Sequence, residues 1–425
     1  MAELRAGPAS TPQTIPGVYM LGTFGLRPKA TLSRRALGMA HALAERGWRF
    51  QLGTTPWDNP ADAGACWIDG DVLVRNTHVT RPLLWPLAAR ELTRWATPFR
   101  PALVHLFKPK GFGDLAARRL ARRLPVVVDM DDWEGDGGWN DVGGYGFLAR
   151  RLFDWQERSW PRCGVVITAA SQTLAERALE LGAAPERVHY IPNGLTRARF
   201  GELAPQPGAS GSFRALHGLG DDPLVLLYTR FVEFAPESIA AALAALRRRR
   251  PETRLVIAGG SADGRAEAAL RGAAQRAGLN DAIVWLGWIE PRDLASITAA
   301  SDVAIHPFDD TRLNASKSPV KLLELLASGL PVVTTAVGEN RHVVEDGTSG
   351  LLAPPGDTEA LAARVAELLA APERRRAIGA AGRQRVERAF LWQGLAPLVE
   401  TAYRDALGPA TPSAGTGRAG RGEQR

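Results

Sequence analysis

Several features that would assign a protein to a class are scarce or absent in this sequence of 425 residues. It has two cysteines, Cys66 and Cys163, and neither lies beside another soft metal ligand, which argues against a disulfide framework or a structural zinc site. No apolar run approaches the roughly 20 residues that span a bilayer. The N-terminal segment MAELRAGPASTPQTIPG lacks the apolar stretch of a signal peptide. We therefore expect a cytoplasmic protein.

The charge balance favours anionic partners. The net charge is +7 at pH 7, and the basic residues are mostly arginine. Such a balance suits nucleotide diphosphates, anionic lipid surfaces or nucleic acid. The arginine-rich stretches 118–124 and 247–254 are typical of helix ends with solvated side chains. Because no aromatic residues interleave with a basic stripe and no nucleic-acid motif occurs, we predict no nucleic-acid partner.

The chain length suits two domains. Short apolar runs alternate with helical stretches in both halves, which predicts α/β domains built on parallel sheets. A segment rich in Gly, Pro, Ala and Ser separates the halves. The predicted organisation is a flexible N-terminus (1–15), a first domain (16–202), a linker (203–222), a second domain (223–390), a C-terminal helix (391–407) and a disordered tail (408–425).

The segment 301–335, SDVAIHPFDDTRLNASKSPVKLLELLASGLPVVTT, is the most informative stretch. Its apolar spacing predicts strands at 303–306 and 332–335 with a helix at 320–328 between them. Ser318 is a good N-cap and Pro319 suits the first helical position. The pattern therefore predicts a strand, loop, helix and strand unit.

The start of this helix is suited to phosphate, because its first-turn amides are unpaired and its positive dipole end points into the loop. Lys317 and Lys321 add positive charge, while the small residues Ser316 and Ser318 allow a ligand to approach the backbone. Glu324 lies roughly 6 Å further along the axis, at about 1.5 Å per residue, where a carboxylate can accept hydrogen bonds from ribose hydroxyls. The alternative is an ordinary solvated pair of Lys321 and Glu324.

The first predicted strand, 17–21, is followed by a loop that can approach a ligand. Gly22 and Gly25 permit tight turns, and Arg27 and Lys29 bring cations above the edge of the sheet. Two glycines also make a plain turn, so that alternative stays open.

Charged side chains follow other predicted strands at their carboxyl ends, which is where open parallel sheets bind ligands. In the second half, Arg230 and Gly259 have this position. An Asp-x-Asp pair can hold a divalent metal between phosphates, but with no third ligand assured we predict a polar wall that positions a sugar or an acceptor. The residues on this side in the first half are Lys108, Lys110, Asp129, Asp131, Asp132 and Glu134.

Taken together, these motifs resemble the family 4 glycosyltransferases, which have the GT-B architecture of two Rossmann-like domains facing across a cleft. The resemblance covers roughly residues 16–407. It is strongest where KLLELLASGLPVVTT is followed by GE and then EDGTSGLLAPPGD, and it includes IPNGL, TAASQTLAE and GTFGLRPK in the same order.

The resemblance implies roles for individual residues. Glu324 corresponds to the glutamate that binds the donor ribose, the amides of Val320 and Lys321 to a diphosphate cradle, and Arg230 to an arginine that meets the phosphates. It also implies that the helix at 391–407 returns to the first domain. The residues that the resemblance places beside the nucleotide base are Trp288 and Ile289.

Three positions depart from the family pattern. Ser316 replaces a glutamate that touches the transferred sugar, Ala235 replaces a lysine five residues after the arginine, and Asp131 replaces a histidine near the sugar. Lys317 or Lys321 is expected to supply the missing cation. The nucleotide half of the site therefore looks intact and the sugar half altered.

The resemblance implies a retaining glycosyltransferase that takes its sugar from a UDP- or GDP-linked donor, without a metal or other cofactor, in glycan, polysaccharide or glycolipid synthesis. The implied catalytic residues are Asp131, Asp132, Arg230 and Lys321. Two alternatives stay open: a degenerate nucleotide-binding protein of this fold, and a sugar-nucleotide epimerase. The acceptor is unknown and is either lipid-linked or a glycan. Arginines at 118–123 and 150–162 suit an anionic membrane, with peripheral association at its inner face.

Overall fold

The computed structural model describes residues 15–27, 31–81, 84–204, 209–261 and 263–408. The predicted flexible N-terminus and disordered tail lie almost entirely outside these residues, as does Lys29. The described chain forms two α/β units, each built on one sheet. The predicted fold class, two α/β domains with parallel sheets, is confirmed.

The first unit contains an eight-stranded sheet in the order β3-β4-β2-β1-β5-β6-β7-β8. Strands β1, β5 and β6 are buried along their whole length, as expected for parallel strands covered on both faces. The elements are β1 (Gly17–Gly22), α1 (Thr31–Arg34), α2 (Ala36–Ala44), β2 (Arg49–Thr54), β3 (Cys66–Asp69), β4 (Val72–Asn76), α3 (Trp85–Phe99), β5 (Leu103–Phe107), α4 (Gly111–Leu120), β6 (Val126–Met130), α5 (Trp139–Val142), α6 (Phe147–Ser159), β7 (Val166–Ala169), α7 (Gln172–Glu180) and β8 (Val188–Tyr190).

One edge of this sheet differs from the predicted parallel arrangement. Strand β3 pairs with β4 in the antiparallel sense, and the two are joined by a tight turn at Gly70, whose φ is +57°. Residues of β3 are alternately exposed and half-buried. Because these strands are short and only half covered, their apolar pattern is weak, and the sequence analysis did not identify them.

The second unit contains a six-stranded parallel sheet in the order β11-β10-β9-β12-β13-β14. Its elements, with the two helices that precede it, are α8 (Arg197–Glu202), α9 (Ala209–Leu216), β9 (Leu224–Thr229), α10 (Pro236–Arg249), β10 (Arg254–Gly259), α11 (Arg265–Arg276), β11 (Ile283–Gly287), α12 (Leu294–Ala300), β12 (Val303–His306), α13 (Arg312–Ala315), α14 (Val320–Ala327), β13 (Val332–Thr335), α15 (Asn340–Val343), β14 (Leu351–Ala353), α16 (Thr358–Ala370) and α17 (Pro372–Ala389). A last helix, α18 (Trp392–Leu407), follows this unit in the chain.

The predicted linker at 203–222 is partly helical. It contains α9, and Leu203 and Leu219 are buried in the core of the second unit. Arg214 of α9 donates to Asp302 Oδ2 at 3.0 Å. This segment therefore packs on the second unit as part of its structure.

The last helix, α18, packs on the first unit. Trp392 is fully buried against Gly38, where a Cβ atom would lie 2.2 Å from the indole Nε1. Trp392 and Tyr403 belong to the same apolar core as strands of the first sheet. Glu400 accepts hydrogen bonds from Arg46 at 2.6 Å and from the indole of Trp48 at 3.2 Å.

The strand order determines where a ligand can bind. The chain moves outward in one direction from β1 and returns on the other side at β5, and it does the same at β9 and β12 in the second sheet. Loops after such strands diverge and leave a crevice at the carboxyl ends. The charged side chains singled out in the sequence follow β5, β6, β9 and β12, so the topology brings them to these two crevices.

Candidate functional site

Helix α14 begins the site, and its first turn differs from the prediction in one respect. Its N-cap residue is Pro319, whereas Ser318 does not cap it. Ser318 accepts hydrogen bonds from the backbone amide and the side-chain amide of Asn193, through its hydroxyl and its carbonyl, both at 2.9 Å. Ser318 therefore joins the two units. The first backbone bond of the turn, from Leu322 N to Pro319 O, leaves the amides of Val320 and Lys321 outside the helical ladder.

Glu324 is buried one turn further along α14. Its carboxylate accepts hydrogen bonds from Arg199 Nε at 2.9 Å and from Arg34 Nη1 at 3.3 Å. Arg34 belongs to α1 of the first unit, so this contact crosses between the units. The alternative of a solvated pair with Lys321 is excluded, since Glu324 is 1% exposed and its two ion-pair partners are arginines. Sequence reasoning missed both arginines, which lie far from Glu324 in the chain.

Two lysines and an arginine surround the start of α14. Lys321 Nζ lies 3.6 Å from the ring centroid of Tyr228, and burial lowers the pKa of Lys321 to about 7. Lys317 donates to Asn314 Oδ1 at 3.0 Å, and burial also lowers its pKa. Arg230 is exposed directly after β9. The three cations are close enough to act on one another electrostatically, and positive charge at a helix N-terminus favours an anion there.

Glu233 lies among these cations and was not singled out by the sequence analysis. Its Oε1 atom is 3.5 Å from Lys317 Nζ, and it is 8% exposed. Burial alone would raise the pKa of Glu233, but Lys317, Arg230, His306 and Lys321 lower it. The signal that was available is an acidic residue three positions after Arg230, in the loop at the carboxyl end of β9.

A cavity of about 460 Å³ opens between the units beside Glu233. Its size falls within the roughly 300–1,000 Å³ that is usual for small-molecule sites. The first unit contributes the wall around Asp141 and Val142, and the second unit contributes the loops after β9 and β12. The lining residues that carry charge are Asp141, Glu233, Asp309 and Arg312.

The facing wall, on the first unit, is a buried network of lysines and carboxylates. Lys108 Nζ lies 3.2 Å from Asp131 Oδ1 and 2.9 Å from Glu134 Oε1, and it also bonds Asp132. Lys110 donates to Glu134 Oε2 at 2.7 Å. The residue Lys108 has a φ of +60°, a backbone conformation that is uncommon for a side chain of this size. The structure thus brings the predicted residues of this wall together.

The pKa values of two carboxylates of this wall, Asp131 and Glu134, are shifted in opposite directions. Burial, with the negative charges of Asp132 and Asp129, raises the pKa of Asp131 to about 7 despite the nearby Lys108. For Glu134 the effect of burial is outweighed by Lys108 and Lys110, which lower its pKa to about 2. Asp131, Asp132 and Glu134 lie close enough to hold one metal ion. In the structure the ammonium of Lys108 supplies positive charge to all three.

Asp129 does not line the cleft, which corrects its prediction as an acceptor-side residue. Both of its oxygens bind Arg35, at 2.6 and 2.7 Å, and Oδ1 also accepts from Thr168 at 2.6 Å. It is fully buried. Arg35 donates onward to Ile191 O and Asn193 Oδ1, each at 3.1 Å. The pair of Arg35 and Asp129 therefore supports the loop that carries the contact of Asn193 with the second unit.

Ser316 and Arg27 also lie differently from their predicted roles. Ser316 is fully buried, and its hydroxyl donates to Leu313 O at 2.8 Å, so it does not face a ligand. Arg27 is exposed and pairs with Asp62 at 2.6 Å. Neither side chain is aimed at the start of α14 in this structure.

The predicted glycines lie at close contacts, and at Gly259 the backbone itself requires glycine. A Cβ at Gly22 would lie 2.4 Å from Leu32 Cδ1, and one at Gly25 would lie 3.0 Å from Pro56 Cβ. Gly259 has a φ of +121°, and a Cβ there would lie 1.8 Å from Thr229 O. These glycines keep the helix, loops and strands close at the two crevices.

The residues predicted to lie beside the nucleotide base, Trp288 and Ile289, follow β11, which is the edge strand of the second sheet. Trp288 is 67% exposed, and a Cβ on Gly260 would lie 3.1 Å from its Nε1. Ile289 is half-buried and packs on the core of the second unit. An exposed indole beside a glycine offers a flat apolar surface of the kind on which a base stacks.

Comparison with known proteins supports one family. The family model "Glycosyl transferase 4-like domain" matches residues 31–194, and "Glycosyl transferases group 1" matches residues 213–385. Among solved structures, sucrose-phosphate synthase from Thermosynechococcus elongatus has a TM-score of 0.73 at 22% identity and covers 92% of this chain and 98% of that chain. HepE from Anabaena, in complex with UDP and glucose, has a TM-score of 0.68 at 16% identity, covering 91% and 98%.

Curated relatives match over about half of both chains. D-inositol 3-phosphate glycosyltransferase from Segniliparus rotundus is 29% identical, covering 57% of this chain and 54% of the relative. A GDP-mannose-dependent phosphatidylinositol monomannoside mannosyltransferase from Mycolicibacterium smegmatis is 32% identical, covering 51% and 56%. Alpha-maltose-1-phosphate synthase from the same species is 30% identical, covering 62% and 67%. With two family models, these relatives and the two-sheet architecture in agreement, the chain belongs to the family 4 glycosyltransferases of GT-B fold.

Proposed function

We propose that the chain is a glycosyltransferase that moves a sugar from a UDP- or GDP-linked donor to an acceptor hydroxyl, with retention of configuration and without a metal ion. The observation that carries this proposal is Glu324, a buried carboxylate one turn inside a helix whose first-turn amides, with Lys317 and Lys321, offer positive charge. This spacing fits a ribose next to a diphosphate. Relatives that use GDP-mannose, and the neighbour bound to UDP and glucose, support the same donor class.

The chemistry follows from the charges. As the bond from the anomeric carbon to the phosphate oxygen breaks, negative charge develops on the departing diphosphate. Arg230, Lys317, Lys321 and the helix amides are preorganised to stabilise that charge. The acceptor oxygen bonds to the anomeric carbon, and its proton passes to an oxygen of the leaving phosphate. Asp131 and Asp132, on the facing wall, orient the sugar or the acceptor.

The acceptor is lipid-linked in this proposal, and the first unit meets the membrane through α6. The outer face of this helix exposes Phe147, Leu148 and Trp155, by 75%, 81% and 51% of their surfaces, together with Arg151 and Arg158. Apolar and basic side chains on one face suit an anionic bilayer surface. In the part of the chain that the structure describes, no helix is long and apolar enough to cross a membrane.

A thermal-shift comparison tests the donor site. UDP, GDP, UDP-glucose and GDP-mannose are added to the wild type, Glu324→Gln and Glu202→Gln. The control residue Glu202 binds the same Arg199 but is 61% exposed. A donor at 100 times its dissociation constant stabilises the folded state by about 2.7 kcal/mol. We expect one nucleotide class to raise the Tm of the wild type and the control, and Glu324→Gln to lose that response.

Turnover separates the proposed function from its alternatives. A glycosyltransferase releases nucleotide diphosphate faster when acceptor is present, whereas an epimerase interconverts sugars without an acceptor. Donor binding with no turnover on lipid-linked or glycan acceptors would favour a nucleotide-binding protein without activity. No response to any of the four nucleotides would contradict the proposal.

A further inference from the structure

The donor sugar must lie next to the diphosphate, at the side of the lysines that faces the cavity. Three carboxylates line this cavity: Asp141, Glu233 and Asp309. Asp141 accepts from Gly137 N and pairs with Arg150 at the far wall. Asp309 Oδ2 accepts from Ala235 N at 2.8 Å and holds the loop. Of the three, Glu233 is the one paired with a lysine at the start of α14.

Ser316 cannot contribute at this place, because its hydroxyl is buried and donates to Leu313 O. The loop after β9 instead brings in Glu233, which is held from both sides. The side chain of Asn314 donates to Glu233 O at 2.7 Å, and the amide of Val232 donates to the Oε2 of Glu233 at 3.3 Å. The first contact holds the backbone of this loop and the second holds the carboxylate, whose other oxygen lies 3.5 Å from Lys317 Nζ.

We propose that Glu233 binds the hydroxyls of the transferred sugar and so determines which donor sugar is accepted. The inference rests on the proposed function and deepens it. An ionised carboxylate accepts hydrogen bonds from two neighbouring hydroxyls of a sugar ring, and a phosphate offers it none. Glu233 stays ionised because Lys317 and Lys321 lie beside it, which the lowered pKa of Glu233 supports. The ligand class is therefore a hexose bearing adjacent free hydroxyls.

A competing account uses the same contacts. It treats Glu233 as a stand-in for the diphosphate, since the negative charge of Glu233 lies among Lys317, Lys321 and Arg230. In that account removal of the charge strengthens binding of the bare diphosphate and of the donor equally. In the account proposed here, removal weakens binding of the donor relative to the diphosphate.

Isothermal titration calorimetry on the full chain distinguishes the accounts. UDP and UDP-glucose form one matched pair of ligands, and GDP and GDP-mannose form the other. The proteins are the wild type, Glu233→Gln, Glu233→Asp and Glu237→Gln. Glu237 is an exposed glutamate four residues further on, so this control makes the same chemical change outside the cavity. The quantity compared is the Kd of the diphosphate divided by the Kd of its sugar nucleotide.

We expect this ratio to fall roughly 10- to 100-fold in Glu233→Gln, the range for loss of hydrogen bonds to a charged group. Glu233→Asp keeps the negative charge but shortens the side chain, so diphosphate affinity should stay at the wild-type level while the ratio falls. Glu237→Gln should match the wild type. With folding checked by circular dichroism, these results support a contact with the sugar.

An unchanged ratio in Glu233→Gln would overturn the inference, whether neither dissociation constant changes or both change by the same factor. In either case the wild type still binds a donor, so the proposed function stands. If the wild type binds none of the four nucleotides, the proposed function itself fails and the inference fails with it. The two failures are therefore distinguishable in one experiment.

Discussion

The two walls of the cleft carry opposite balances of charge. On the second unit, Lys317, Lys321 and Arg230 surround the carboxylate of Glu233. On the first unit, Lys108 and Lys110 lie among the three carboxylates of Asp131, Asp132 and Glu134. The positive wall suits a diphosphate, and the negative wall suits hydroxyl groups of a sugar or an acceptor. The comparison shows that cations predominate on one unit and carboxylates on the other, although the second unit also carries the buried carboxylates of Glu233 and Glu324.

The largest expected effect comes from removing Lys108, the cation shared by the carboxylates of the negative wall. Lys108→Met leaves the buried carboxylates of Asp131 and Glu134 and the half-buried one of Asp132 without their shared cation, and loss of one partner of a buried ion pair costs about 3–5 kcal/mol. We expect the free energy of unfolding, measured in urea at pH 7.5, to fall by that amount. Lys110→Met should cost less, because Lys110 bonds only Glu134 among these carboxylates.

The stability lost in Lys108→Met should depend on pH. Burial already raises the pKa of Asp131 to about 7, and removal of Lys108, which lowers it, raises it further, so the folded state binds more protons than the unfolded state. Stability lost in Lys108→Met should then be regained as the pH falls through the raised folded pKa values. A loss that is the same at pH 5.5 and pH 7.5 would contradict the electrostatic cause.

The next effect concerns the outer surface of the first unit. Leu148 is 81% exposed on α6, and burying a leucine in a bilayer interface contributes about 1.5–3 kcal/mol. Leu148→Glu should therefore reduce binding to vesicles that contain anionic lipid by about tenfold or more, measured by flotation. Leu216→Glu makes the same change at an 80% exposed leucine of α9 and should bind like the wild type. Equal losses in both variants would argue against α6 as the membrane-facing surface.

The smallest expected effect concerns the charge of Lys321 on the positive wall of the second unit. Burial lowers the pKa of Lys321 to about 7, so this lysine loses its charge as the pH rises above that value. Affinity for the nucleotide diphosphate should fall between pH 7 and pH 9, by at most about tenfold per pH unit for one titrating group. Lys321→Gln should bind more weakly at pH 6 and show a flatter profile. A wild-type affinity that is constant over this range would show that Lys321 does not contact the ligand.

The positive wall was largely predictable because it is local in sequence. The strands at 303–306 and 332–335 have the predicted bounds, and α14 ends one residue earlier than predicted. Glu324 and Lys321 are placed by one helix, whose periodicity can be read directly. The cap at Ser318 was wrong, because a partner on the other unit, Asn193, takes its hydroxyl.

For the negative wall, the sequence predicted which residues take part but not how they pair. Its members were found at strand ends, but their pairing depends on contacts between separate strands and loops. The sequence did not show that Asp129 would turn inward to Arg35. At the positive wall, the sequence likewise did not show that Arg34 and Arg199 would both reach Glu324. Such contacts join residues that are more than 90 positions apart in these pairs, so no local pattern encodes them.

The return of α18 to the first unit has a consequence for the order of folding during synthesis. Trp392, Leu395, Val399 and Tyr403 complete a core whose other members are encoded mainly in the first half of the chain. A ribosome makes the second unit before it makes this helix. The first unit therefore stays uncovered along α2 and part of its sheet until translation has passed α18. Its late closure makes the two units finish folding together, although each has a sheet of its own.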